Sequence, residues 1–366
     1  MQLPIDVKAV IDEAMDIEGA RTTPLSVGMY VDATAPADLV GHVRGAFAPA
    51  GAHVRVTVEV FGGAGGSAAD APFAPFPGDD VAVVVAGLSE DVGRVAGALR
   101  AAGVPAMVAT TLPRLVEEIA QAAGCPIPQG DVVAPEEARA RLCGSPLGEK
   151  AAALAARSGA GVLAGALGLG CAGTAGRDAE APEPLALDGQ AAALLDRRMG
   201  EWVVATCPDK RLAFALAFSF VRRPLAVDAV NATAAQNAGV GLVAFIPGAD
   251  LPVMTLNQAK MLLQIAAAYG QPLGVQRVKE LAAVVGGAFA CRAAARQLVA
   301  FVPALGWAVK AGIGYAGTVA MGRAAIEYFE GGGSVAGLAG AVAGAREKAA
   351  SGAARLAGMA RAGVRR

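Results

Sequence analysis

The clearest signal in the chain is a strict alternation at His53–Phe61 (HVRVTVEVF), where Val54, Val56, Val58 and Val60 share one face. Period two is the repeat of a half-buried strand. Leu25–Asp32 (LSVGMYVD) is β-like, and Pro36–Phe47 follows it as a helix. Val81–Gly87 (VAVVVAG) is an unbroken aliphatic run, the mark of a strand covered on both faces. A helix over Glu90–Ala102, a strand over Val104–Thr110 and a helix over Pro113–Ala123 continue the series, while Gly62–Asp79 is a loop by its Gly, Pro and Ala content. Strands alternating with helices predict an α/β domain with a mostly parallel sheet over residues 25–143. Residues 1–24 read as a short helical arm ending at Thr22-Thr23-Pro24.

The pattern changes after residue 143. Residues 144–187 form a Gly/Ala/Pro-rich connector: Ser158–Gly176 has 19 residues without a charge, seven of them Gly, and Arg177–Pro184 is a polar linker. From residue 188 to 332 only helical periodicity is visible, which predicts an all-α domain. One helix is expected over Asp196–Phe220, leading to Arg222-Arg223-Pro224, and a second segment runs to Ile246-Pro247-Gly248. Thr255 reads as the N-cap of a helix to Tyr269, with Gly270 as its stop. On that helix Asn257, Lys260 and Gln264 form one narrow polar stripe on an otherwise apolar cylinder, as in a helix buried in protein or lipid. Further helices are expected from Val275 to Phe301 and from Trp307 to Phe329, with a break at Pro303–Gly306. Residues 333–366 are an Ala/Gly-rich basic tail.

Leu298–Gly322 is 25 residues long with one charge, Lys310. That length suffices to cross a bilayer, but a central Lys costs about 2.5–3.5 kcal/mol on insertion scales. Pro303 and Gly306 split the run into two halves that suit a hydrophobic helical hairpin. A membrane-associated hairpin, an ordinary buried core and a true span all remain open, and Ala238–Ala249 poses the same choice.

Composition narrows the classes. The 366 residues are 55% hydrophobic, 17% charged and 5% aromatic, with a mean hydropathy of +0.48. Disordered chains are charge-rich and aliphatic-poor, so that class is excluded. The five Cys are scattered among apolar neighbours, which excludes a small disulfide scaffold and suits reduced core thiols in a cytoplasmic setting. The opening segment carries acidic residues and lacks an apolar run, so no signal peptide is expected. The net charge of −1 hides an asymmetry: residues 1–150 hold 10 Lys+Arg against 19 Asp+Glu, and residues 151–366 hold 21 against 13. Only the second part is expected to seek an anionic surface.

Candidate chemistry is sparse. G-x-G-x-x-G occurs at Gly168/Gly170/Gly173 and at Gly312/Gly314/Gly317, but neither follows a strand as a dinucleotide fingerprint must. Helix–helix contact is the better reading, since small residues let backbones approach. His42 and His53 have no Cys near them, so no metal site is expected. No Ser sits in a nucleophile elbow. The carboxylate pairs Asp79/Asp80, Glu117/Glu118 and Glu136/Glu137 are adjacent in sequence, which points their side chains apart and predicts solvated surface. Arg222, Asn237, Asp250, Asn257 and Tyr269 punctuate apolar helices and are expected to cap or cross-link them, because buried polar groups need hydrogen bonds.

A series of segments carries a resemblance: Phe220-Val221-Arg222-Arg223-Pro224, Gln236-Asn237-Ala238, Ile246 to Gln258, Ile265 to Gly270, Lys279-Glu280-Leu281-Ala282, Val302 to Trp307, Tyr315-Ala316-Gly317-Thr318 and Met321 to Phe329. Together, over roughly residues 210–330, these segments resemble the bacterial YcjF-like, GTPase-associated domain of unknown function. The resemblance implies an all-α domain, often assigned to membranes and commonly following an Era-type GTPase domain. It brings no catalytic residue with it.

The α/β segment therefore stands where a GTPase is expected, but without the chemistry. A P-loop needs Gly for backbone approach to phosphate, a Lys for charge and Ser/Thr for magnesium. After the first strand stands Ala33-Thr34-Ala35-Pro36-Ala37-Asp38, with no Lys and an added acid. Thr111-Leu112-Pro113-Arg114 stands where Asn-Lys-x-Asp would read guanine, and Glu59-x-x-Gly62 is a faint echo of Asp-x-x-Gly. The expectation is a degenerate P-loop GTPase-like or Rossmann-like module with no catalytic, cofactor-binding or metal-binding residues and no cofactor. The chain is expected to act as a non-enzymatic scaffold on the cytoplasmic face of the inner membrane, attached peripherally or by a hairpin, with a cytoplasmic location as the alternative. Its expected partners are a lipid surface, another protein such as a GTPase, or a second copy, and not nucleic acid. The alternatives are a GTPase-derived switch and a soluble helical scaffold.

Overall fold

The computed structural model describes residues 17, 19–49, 53–62, 73–76, 78–135, 187–243, 250–271 and 306–333. Five strands, β1 (Leu25–Asp32), β2 (Val54–Phe61), β3 (Val81–Val85), β4 (Ala106–Ala109) and β5 (Val132–Val133), form one sheet in the order β2-β1-β3-β4-β5. Every neighbouring pair is parallel. Helices α1 (Ala37–Ala46), α2 (Asp91–Ala101) and α3 (Pro113–Ala122) alternate with them. β1 and β3 are buried along their whole length, as their aliphatic runs predict. At two residues β5 is too short to show a period, and the sequence pattern gave no sign of it.

The sheet has two apolar faces. One packs Tyr30, Ala82, Val84 and Val108 against Val92, Val95 and Leu99 of α2 and Val116 of α3. The other packs Val27, Met29, Val83 and Met107 against Leu39 and Val43 of α1. The same second core contains Leu195, Met199, Trp202 and Val203 from helix α4 (Gly189–Thr206), so the first helix beyond residue 187 covers the sheet. Asp188 caps α4 by accepting from the Ala191 amide at 2.7 Å. The Nε2 of His42 on α1 lies 2.7 Å from Asp196 of α4 and ties the two covering helices together.

Helices α5 (Arg211–Ala217) and α6 (Ser219–Val243) follow, where the sequence predicts one helix from Asp196 to Phe220. The chain breaks at Cys207–Lys210, where Pro208 has no N–H to continue α4. Phe47, just past the end of α1, meets Phe218 and Phe220 with ring centroids 5.1 and 4.9 Å apart, an aromatic joint between the sheet and the helices that follow.

α6 packs with α7 (Asp250–Ala268) and α8 (Gly306–Glu330) around Ala226, Val230, Leu262, Ile265, Met321, Ala325 and Phe329. α7 begins at Asp250, so Thr255 lies inside it rather than at its start. The expected stop holds: Gly270 takes φ +72° and donates to the Ala267 carbonyl at 2.8 Å. Arg21 then donates to the Gln271 carbonyl at 3.0 Å beside that end.

One polar layer crosses the three helices. Asn237 of α6 and Gln258 of α7 both donate to the Thr318 hydroxyl of α8, at 3.1 and 2.9 Å, and Asn257 donates to the Asn237 carbonyl oxygen at 3.1 Å. All but Asn257 are fully buried. Tyr269 donates to Glu330 at 2.9 Å, Arg223 pairs with the same carboxylate, and Arg222 donates to the Ala215 carbonyl at 3.2 Å. These four expected cross-linkers do link helices; the Asp250 side chain lies outside the described residues. A buried polar layer penalises any register in which its members lose partners.

Gly312, Gly314 and Gly317 fall within α8, and the surroundings of Gly312 and Gly314 lie outside the described residues. Gly317 faces open space, whereas a Cβ on Gly322 would come within 2.3 Å of Val230. Among the described residues no helix is long and apolar enough to cross a membrane. The connector with Gly168/Gly170/Gly173, the helix expected from Val275 to Phe301, the Pro303 break, the Lys310 side chain and the basic tail lie outside the described residues.

Candidate functional site

In an open parallel sheet, ligands bind beyond the carboxyl ends of the strands, where neighbouring connections leave in opposite directions. Here that point lies between β1 and β3, since β2 and β3 flank β1 and the helices after β1 and β3 cover opposite faces. The loop after β1 is Ala33-Thr34-Ala35-Pro36, and the loop after β3 is Ala86 to Glu90. Four residues between strand and helix leave no room for the Gly-x-x-x-x-Gly-Lys turn of a P-loop.

Asp32, the last residue of β1 and only 1% exposed, fills this crevice. Its Oδ1 accepts from the Thr34 amide and the Thr34 hydroxyl, both at 2.9 Å. Its Oδ2 accepts from the amides of Gly87 at 3.1 Å and Ser89 at 3.2 Å. The Thr34 hydroxyl in turn accepts from the Leu88 amide at 2.9 Å. Four backbone N–H groups at the switch point therefore point at oxygens of the chain itself. Backbone N–H groups in such a turn are what a bound phosphate uses. The Asp32 carboxylate and the Thr34 hydroxyl take up these four amides.

The two loops also touch directly. A Cβ on Gly87 would lie 2.4 Å from the Thr34 carbonyl carbon and 2.5 Å from the Ala35 nitrogen. Gly62, at the end of β2, sits over Asp32 Oδ1 and Ser89 Oγ with φ +79°. The Glu59-x-x-Gly62 echo thus does reach the crevice, through Gly62. Thr110 and Thr111 after β4 are buried, and the Thr110 hydroxyl accepts from Leu112 N at 3.0 Å. Asp38 stands on the first turn of α1, accepts from the Leu187 amide at 3.0 Å and helps fix the chain's return to α4. Hydrogen bonds from the amides of Leu187 and Leu39 hold its carboxyl below the usual range.

A second polar cluster lies at the opposite, amino edge of the sheet, around a shallow cavity of about 460 Å³ lined by Ser26, His53, Arg55, Asp80 and Lys210 among others. Asp80 accepts from Lys210 at 2.6 Å and from Ser26 N at 3.0 Å. The Ser26 hydroxyl donates to Asp79 at 2.6 Å and accepts from Arg55 at 2.7 Å. The Asp79 side chain is fully buried, which corrects the expectation of solvated surface for this pair. The helical rule for adjacent residues does not apply to these two, which stand in the turn before β3. Burial, reinforced by Asp80, pushes the nearby Cys207 thiol up to about 11, which leaves it a poor nucleophile. These contacts tie β1, β2 and the start of α5 together, while the second carboxylate oxygen of Asp79, Oδ2, is buried without a hydrogen-bond partner.

Among the described residues no group of His, Cys, Asp and Glu is arranged to hold a metal ion. His42 serves the α1–α4 link and His53 is exposed at the start of β2. Sequence reasoning missed Asp32, which it counted as the end of a strand. The readable signal was Asp-x-Thr, a local turn former, followed after the next buried strand by Gly87-Leu88-Ser89. Searches of family models, curated proteins and solved structures return no match to this chain.

Proposed function

We propose that this chain is a non-enzymatic scaffold or adaptor of the cytoplasmic membrane face, built on a degenerate P-loop GTPase-like module that works without nucleotide. The observation that carries the reading is the Asp32 carboxylate, which occupies the Thr34 amide of the loop after β1 and the Gly87 and Ser89 amides of the loop after β3. The loop after β1 offers no Lys, and Pro36 brings no N–H to the start of α1. A polyphosphate would have to expel a buried carboxylate and then face its charge. At an effective dielectric of about 20, two like charges 4 Å apart repel by about 4 kcal/mol. Isothermal titration with GTP and ATP plus magnesium is expected to show no binding. A dissociation constant at or below about 10 μM overturns the reading and favours a nucleotide-dependent switch.

The helical region, similar in sequence to the YcjF-like domain, supplies the attachment. Among the described residues no helix is long and apolar enough to span, and the proposed contact is peripheral or through a hydrophobic hairpin. Its electrostatic part comes from residues 346–366, with six cations (Arg346, Lys348, Arg355, Arg361, Arg365, Arg366) against Glu347. Each cation near an anionic bilayer contributes about 1 kcal/mol. Sedimentation with phosphatidylserine-containing vesicles is expected to fall as salt rises and to drop on removal of residues 346–366. Equal binding by both forms removes the tail from the mechanism.

A further inference from the structure

β2 ends the sheet, and among the described residues nothing pairs with its outer edge. An open edge strand is a template for another strand, and proteins that leave one unguarded usually cover it. Val58 is 42% exposed and Val60 is 65% exposed on this edge, an apolar display with no internal purpose. The strand reads Val54-Arg55-Val56-Thr57-Val58-Glu59-Val60, which is a palindrome about Thr57 with opposite charges in mirrored positions.

We propose that β2 pairs antiparallel with β2 of a second copy of this chain, on a two-fold axis through Thr57, to make one continuous ten-stranded sheet. The backbone selects which registers are open. The amide of Leu25 donates to the His53 carbonyl and the amide of Ala33 to the Phe61 carbonyl, so the odd residues of β2 direct their polar groups inward to β1. In a parallel ladder the N–H and C=O of one residue point the same way, which leaves those of Val54, Val56, Val58 and Val60 facing outward. Centring the pair on Thr57 sets Val54 opposite Val60 and Val56 opposite Val58 as hydrogen-bonded pairs. Arg55 then stands opposite Glu59, twice, at the non-hydrogen-bonded positions where side chains come closest.

Charge excludes the neighbouring alternatives. Centring on residue 56 or 58 uses the same outward groups but sets Arg55 or Glu59 opposite Thr57 and loses both ion pairs. Centring on residue 55 or 59 places like charges face to face. Glu59 is exposed, with no ion-pair partner among the described residues. Arg55 is 55% exposed even while it holds Ser26 and Asp79, and a guanidinium has five donors to share. The exposed Val58 and Val60 land on the half-buried Val56 and Val54 of the other copy. The contact is isologous and therefore closes as a dimer rather than growing into a fibre.

Sedimentation velocity of the full chain over a dilution series is the test, with circular dichroism to confirm folding of each variant. The unsubstituted chain is expected to run as a dimer at the concentrated end. Val58→Pro removes an outward N–H without touching a bond to β1 and is expected to abolish the dimer. Glu59→Lys turns two attractive pairs into two repulsive ones and is expected to weaken it by roughly tenfold or more. Register is read by mild oxidation: Thr57→Cys faces its own mate and is expected to cross-link two chains, whereas Val58→Cys faces residue 56 and is not. Native Cys are controlled by oxidising the unsubstituted chain. A chain that stays monomeric throughout overturns the proposal. So does a dimer that persists in Glu59→Lys while Thr57→Cys fails to cross-link, and this arm decides the matter even if Val58→Pro does not fold.

Discussion

Asp32→Ala is expected to destabilise the chain by about 3 kcal/mol or more, a large effect for a change of one small side chain. The carboxylate accepts four hydrogen bonds from Thr34, Gly87 and Ser89 while nearly excluded from water. Removing it orphans three backbone amides at the centre of the sheet's carboxyl edge, and a buried donor without a partner costs about 1–3 kcal/mol. Asp32→Asn separates charge from shape. The amide keeps an oxygen for one pair of donors but turns an NH₂ toward the other pair, so an intermediate loss is expected. Urea unfolding of the three proteins measures the series. A loss below about 1 kcal/mol for Asp32→Ala means that water or a rearranged loop replaces the carboxylate easily, and the plugged-crevice account then fails.

The sheet was legible because its chemistry is local. Val81–Val85 is aliphatic throughout since both its faces are covered, and β2 alternates in sequence since Val54 and Val56 face the core while Arg55 and Thr57 lie on the other face. What sequence could not show depends on distant partners. α4 covers the sheet beside α1, yet 55 residues separate it from β5, and no periodicity links the two. Only the fold reveals that Leu195 and Met199 belong to the same core as Val27 and Val83. Likewise Asp79 reads as surface until Ser26 and Arg55, from β1 and β2, are brought around it. The three-helix polar layer lay between these cases. Asn237 and Asn257 stood out as polar positions in apolar helices, but Thr318, the acceptor that unites the layer, is unremarkable in its own sequence context.

The junction between the sheet and the helices supplies the sharpest contrast between two chemically identical changes. Gly97→Ala and Gly200→Ala both place a methyl in a helix interior, where Ala is favoured over Gly by about 1 kcal/mol. Gly97 on α2 has open space around its missing Cβ, so that gain is expected in full. At Gly200 on α4 the added Cβ would lie 2.5 Å from the Phe220 carbonyl oxygen and 2.6 Å from the Pro224 ring. Neither neighbour yields easily. Pro224 sits within α6 and has no N–H, so the Phe220 carbonyl lacks its intrahelical donor and lies directly against Gly200. A methyl there forces α4 off α6, and overpacking of this kind costs about 1–3 kcal/mol. The propensity gain offsets only part of that. The expected result is a sign reversal in thermal melts: Gly97→Ala raises the midpoint and Gly200→Ala lowers it. A higher midpoint for both shows that α4 and α6 do not meet at this contact, and with it falls the packing that joins the helical region to the sheet.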